Sequence, residues 1–91
     1  MKKVLVAAGT SVNKRNFAVN YIKNYLEKKG IEAEVTGDNI YEVNLDVQKP
    51  DVVVTIGRHN FKTNIPIIQG TVFVTQIGME PVCDEIIAKL Q

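Results

Sequence analysis

Apolar residues run unbroken from Val4 to Ala8, the pattern of a strand covered on both faces. The period then changes. Phe17, Ala18, Tyr21, Ile22, Tyr25 and Leu26 recur at three- and four-residue spacing, with Lys23, Asn24, Glu27 and Lys28 opposite, which predicts a helix from Asn13 to Lys29. Asn13 is placed to cap its start and Gly30 to stop its end. Ile31 to Val35 alternates like a half-exposed strand, and Gly37-Asp38-Asn39 reads as a turn. Residues 40 to 47 fit either a short helical turn or irregular chain. Asp51 to Ile56 is a second buried-type strand. Ile65-Pro66-Ile67-Ile68 is a short strand whose proline suits a sheet edge. Gly70 and the Val72-Phe73-Val74 triplet follow. Pro81 opens a C-terminal helix with Val82, Cys83, Ile86, Ile87 and Leu90 as its apolar stripe.

This alternation predicts an α/β single-domain three-layer sandwich with a central four-stranded, mostly parallel sheet. The expected order is 2-1-3-4, flavodoxin-like. In such sheets ligands bind beyond the carboxyl ends of the strands, where strand order reverses. That places the loop Gly9 to Arg15 beside the loop Gly57-Arg58-His59-Asn60.

The first loop carries the candidate chemistry. A strand emptying through a glycine into a helix start presents backbone N–H groups and a positive dipole end to an anion. Gly9, Thr10, Ser11, Val12 and Asn13 form the cradle, with Lys14 and Arg15 as cations. Those cations oppose the helix dipole by about 0.3–1 kcal/mol each. The same residues also read as an ordinary turn with two solvated charges. The ending Gly-Lys-Ser/Thr of a nucleotide-binding loop is missing, and so is a dinucleotide fingerprint. Arg58 suits bidentate phosphate binding. His59 reads either as an acid/base or phosphate contact or as a solvent-facing loop histidine. Cys83, on an apolar stripe, reads as a small inert core residue. Glu32 and Glu34 read as solubilising charge. Carboxylates paired for acid/base work and a metal-ligand cluster are both missing, and no cofactor is expected.

Bulk properties narrow the classes. Ninety-one residues make one domain (1–91), and 45% hydrophobic with 23% charged residues is ordinary globular composition. A net charge of +1 gives no global pull toward nucleic acid or a membrane surface. One cysteine excludes an internal disulfide. The apolar run ending at Ala8 is too short for a secretory signal, and direct membrane insertion is not expected.

The segment "KKVLVAAGTSVN", and above all "PDVVVTIGRHNFKTNIPIIQGTVFVTQIGMEPVCDEIIAKLQ", resembles the galactitol-type IIB component of the bacterial phosphoenolpyruvate-dependent sugar phosphotransferase system. In the family's order come an arginine after the third strand, an edge strand with "IP" and two aliphatics before glycine, an "FV" strand and a short amphipathic helix. The fold is shared with low-molecular-weight tyrosine phosphatases. The resemblance implies a cytoplasmic bacterial protein that docks a IIA partner and a membrane IIC partner. Family members carry a cysteine at the end of the first strand, within Cys-Gly-x-Gly/Ala-Val/Ile-x-Thr/Ser-Ser. That thiolate takes phosphate from a phosphohistidine and passes it to sugar. Here Ala8 stands at the cysteine position, Gly9 and Val12 match, Lys14 and Arg15 replace hydroxyl residues, and Arg58 matches the family arginine. Relative to the phosphatases, whose loop is Cys-x5-Arg, both nucleophile and arginine are replaced, by Ala8 and Lys14. Phosphatase activity is therefore not expected. Three readings follow: a IIB component lacking its nucleophile, a non-catalytic anion- or partner-binding module, and surrogate phosphorylation on Thr10, Ser11 or His59.

Overall fold

A computed structural model describes residues 1–9, 11–59 and 61–91. The chain runs β1 (Lys2–Ala8), α1 (Val12–Lys28), β2 (Ala33–Asn39), α2 (Leu45–Gln48), β3 (Val52–Ile56), β4 (Ile67–Gln69), α3 (Val72–Thr75) and α4 (Met79–Leu90). The sheet order is β2-β1-β3-β4 and every pairing is parallel, as the alternation predicts. β1 lies second in the sheet with Val4 to Ala8 all buried, which is why it is apolar on both faces.

The two faces are covered unequally. On one, α1, α3 and α4 pack Ala18, Ile22, Leu26, Phe73, Cys83, Ile86 and Leu90 against Val4, Val6, Val52, Val54 and Ile68. On the other, Leu5, Ala7 and Val53 are covered by Ile40 and Leu45, with Val43, Phe61, Ile65 and Ile67 around them. The only helix among these is the single turn α2. Its start is capped by Asn44 Oδ1, which accepts from the N–H groups of Asp46 and Val47 at 3.0 and 3.3 Å. Gln48 Nε2 donates to Asp38 Oδ2 at 2.8 Å and ties α2 to β2.

Several local expectations need correction. The cap of α1 is Ser11, whose Oγ accepts from Lys14 N–H at 3.4 Å; Asn13 lies inside the helix. Gly37-Asp38-Asn39 is strand, paired with Val6, Ala7 and Ala8, so β2 begins later and ends later than its alternation indicates. Hydrogen bonding along β1 outweighs turn-prone composition there. Phe73-Val74 is helical in α3, where Phe73 is 2% exposed beneath α1 and α4; burying that ring decides the conformation over β propensity. The last helix begins at Met79, so Pro81 sits within its first turn, where its missing N–H costs nothing. Residues 40 to 44 are irregular and lead into α2.

Two links cross between elements far apart in sequence. Tyr25 Oη donates to Asp84 Oδ1 at 2.6 Å, joining α1 to α4. Lys3 N–H donates to Asp51 Oδ2 at 2.7 Å, while Asp51 N–H donates to the Lys3 carbonyl at 2.9 Å. No helix among the described residues is long and apolar enough to cross a membrane.

Candidate functional site

The carboxyl ends of β1, β2 and β3 meet at one register: Ala8 lies opposite Asn39 on one side and Ile56 on the other. The Ala8 carbonyl accepts from Ile40 N–H at 2.7 Å, so the end of β1 is fixed by the chain leaving β2. Gly57, at φ 116°, turns the chain out of β3 into Arg58 and His59, a conformation that side-chain-bearing residues rarely adopt. The two loops singled out from topology therefore stand at adjacent strand ends. Thr10 and Asn60 lie outside the described residues.

Ala8 is 2% exposed, and its methyl offers no lone pair or titratable proton. Gly9 is half-buried, and among the described residues a Cβ built on it would meet nothing within 4 Å. Its φ is not in the left-handed region, so the fold itself does not require glycine there. Ser11, Val12, Asn13 and Lys14 are exposed at the start of α1. The N–H groups that open a helix have no partner within it, and no acidic residue occupies this first turn. Arg15 is half-buried because its stem lies over β2: Cγ and Cδ would stand 3.0 and 3.2 Å from a Cβ on Gly37.

Arg58 and His59 are exposed. His59 Nδ1 accepts from Phe61 N–H at 3.3 Å, and the ring stacks on Phe61 with centroids 5.2 Å apart. A ring nitrogen that accepts a backbone N–H presents its lone pair there, so the neutral ring carries its proton on Nε2. In that state His59 is a hydrogen-bond donor at its outer edge, and Nε2 has no lone pair with which to attack phosphorus. Ser11 Oγ accepts from Lys14 N–H as the cap of α1.

Cys83 gives no substitute for a thiolate at the strand end. It is fully buried on α4, and burial, with smaller contributions from Asp84 and Glu80, pushes its thiol up from 9.0 to about 12. A buried neutral thiol is a poor nucleophile. Among the described residues no group of three or more His, Cys, Asp or Glu could hold a metal ion.

Sequence reasoning missed Tyr41, which stands 73% exposed beside this end of the sheet. Its N–H donates to Asn39 Oδ1 at 2.8 Å, and Glu42 and Val43 N–H both donate to the Asn39 carbonyl at 3.0 Å. The Asx turn at Asn39 is the signal that could have located it. A groove of about 460 Å³ is lined by Ile40, Tyr41, Val43, Arg58, His59 and Phe61.

No family model matches the chain. One curated relative does, at 30% identity over 90 residues, covering 99% of this chain and 98% of its own length. It is the Escherichia coli (strain K12) protein named "Putative phosphotransferase enzyme IIB component SgcB". With a likeness that spans both chains end to end, on a flavodoxin-like parallel sheet, this chain belongs to the enzyme IIB family of the sugar phosphotransferase system.

Proposed function

We propose that the chain is a galactitol-like IIB domain that docks a IIA partner and a membrane IIC partner but does not itself carry the phosphoryl group. The observation behind this reading is Ala8. It closes β1 between β2 and β3, where the resemblance puts the phosphoacceptor, and it has no nucleophilic atom. In a relative with cysteine there, the thiolate sulfur would attack phosphorus, the phosphorus–nitrogen bond to the donor histidine would break, and a sugar hydroxyl would later displace the sulfur. Backbone N–H groups at the start of α1 would hold the three phosphoryl oxygens, with Arg58 at the rim. In this chain the cradle has no atom to receive the group.

The cradle is then an anion-binding site. Among the described residues nothing crowds Gly9 at the helix start, and the first turn of α1 carries two cations, Lys14 exposed and Arg15 with its stem over Gly37. A phosphate, or a phosphorylated partner, fits that arrangement without covalent chemistry. The protein would act as a cytoplasmic docking module in phosphotransferase assemblies.

The test is the intact mass of the protein after incubation with phosphoenolpyruvate, the general phosphotransferase proteins and a galactitol-type IIA. The chain with Ala8 should gain nothing, and Ala8→Cys should gain one phosphoryl group. Failure of Ala8→Cys with every IIA tried would overturn the IIB docking role. A phosphoryl group on the chain with Ala8 would overturn the non-carrier role. Amide resonances of Gly9 and Ser11 to Asn16 should shift on adding phosphate or sulfate; no shift at tens of millimolar anion would remove the anion site.

A further inference from the structure

The groove beside the sheet end is built from two kinds of side chain. Ile40 is 5% exposed and, with Val43 and Phe61, belongs to the apolar cluster under that face. Tyr41, Arg58 and His59 are exposed. No carboxylate is among the described residues that line it. An adjoining groove shares Val43 and Phe61 but carries Glu42 and Asp46, so the acidic residues of this region fall elsewhere. The Tyr41 backbone is fixed by the Asn39 turn, and the His59 ring by the Phe61 N–H and the ring stack. The His59 tautomer set by that bond points a donor, not an acceptor, outward. The volume of about 460 Å³ is large enough for a small molecule.

We propose that this groove binds a small phosphorylated sugar noncovalently. The phosphate is held by Arg58 and the Nε2–H of His59, and the sugar ring lies against Tyr41 over the Ile40–Val43–Phe61 floor. A guanidinium and a neutral imidazole N–H, with no carboxylate among the described residues that line the groove, favour the monoester dianion. An exposed aromatic face on a backbone already ordered by the Asn39 turn suits the ring. The choice of a sugar over other ring-bearing phosphates rests on the IIB reading above.

The test is an amide-resonance titration of the full chain with galactose-6-phosphate, galactose, inorganic phosphate and adenosine monophosphate. Galactose-6-phosphate should shift Ile40 to Val43, Arg58 and Phe61 saturably, about tenfold more tightly than inorganic phosphate, a factor worth about 1.4 kcal/mol. Tyr41→Ala, at a solvent-exposed position, should bring it down to the inorganic phosphate level. Arg58→Gln should remove binding of both. Equal affinity for sugar phosphate and phosphate, tighter binding of the nucleotide, or no shift in the groove would each overturn the inference. A silent groove alongside an Ala8→Cys protein that accepts phosphate would sink this site and spare the IIB reading. A responsive groove with an inert Ala8→Cys would do the reverse.

Discussion

The aliphatic stem of Arg15 lies over Gly37, so that a Cβ at position 37 would stand 3.0 Å from Cγ of Arg15 and 3.0 Å from Cγ2 of Val19. The first helical turn thereby reaches across to the edge strand, and one of the two loop cations is held along the sheet instead of extending freely into solvent. Gly37→Ala should force that stem to lift, at a cost of about 1 kcal/mol. Urea denaturation should show the loss, and it should shrink in an Arg15→Ala background, where Cγ and Cδ are gone. A penalty that is unchanged in the double variant would place the crowding at Val19 alone.

The phenol of Tyr25 is raised from 10.0 to about 12, first by the hydrogen bond it donates to Asp84, then by desolvation and neighbouring negative charge. Burial first, then Asp84 and Glu80, raises Cys83 from 9.0 to about 12. Both folded values lie above the unfolded ones. The stability they contribute is therefore complete below about pH 9. It falls as the unfolded chain sheds protons that the native state retains, through a window ending near pH 12. Urea midpoints measured across that range should decline. Tyr25→Phe should lower the midpoint at neutral pH and flatten part of the alkaline slope; an unaltered slope would mean the Tyr25–Asp84 bond does not persist in solution.

Cys83 should be silent toward an aromatic disulfide reagent at neutral pH in the folded protein and should react fully in strong urea. Fast reaction under native conditions would contradict its burial between α4 and the sheet.

Ser11→Ala should cost about 0.5–1 kcal/mol, the lower part of the range for cap removal, because its bond to Lys14 N–H is long at 3.4 Å. Asn13→Ala, at an exposed position inside the helix, should be neutral or slightly stabilising. The opposite ranking, from thermal melts of the two variants, would move the cap to Asn13.

That contrast marks where local sequence stops being sufficient. Ser11 and Asn13 are both good caps, and only the path of the chain out of β1 decides between them. Val4 to Ala8 and Val52 to Ile56 were legible because burial on both faces leaves an unbroken apolar run. Val6, Ala7 and Ala8 pull Gly37, Asp38 and Asn39 into β2 through pairing that composition does not record. Phe73 is helical because its buried ring packs against Tyr21 of α1, a contact that local sequence does not record. Topology alone brought the two loops together, and the apolar floor between them went unread because Ile40 and Phe61 stand 21 positions apart (61 less 40) in irregular chain. The Tyr25–Asp84 bond spans 59 positions and leaves no periodic trace.

The unequal cover of the sheet has a consequence for how the molecule comes apart. Opening α2 breaks one side-chain tie, Gln48 to Asp38, and one turn of helix, and it lifts Leu45 off the cluster of Leu5, Ala7 and Val53. Opening α1 or α4 requires dismantling the main core. The α2 side should therefore be the first unit to open, at a free energy below that of the whole chain. Amide exchange at Leu45 to Lys49 should run ahead of exchange in β1 and β3. A ligand seated on Ile40, Val43 and Phe61 would slow that exchange without touching α2 itself, because it closes the same layer from above.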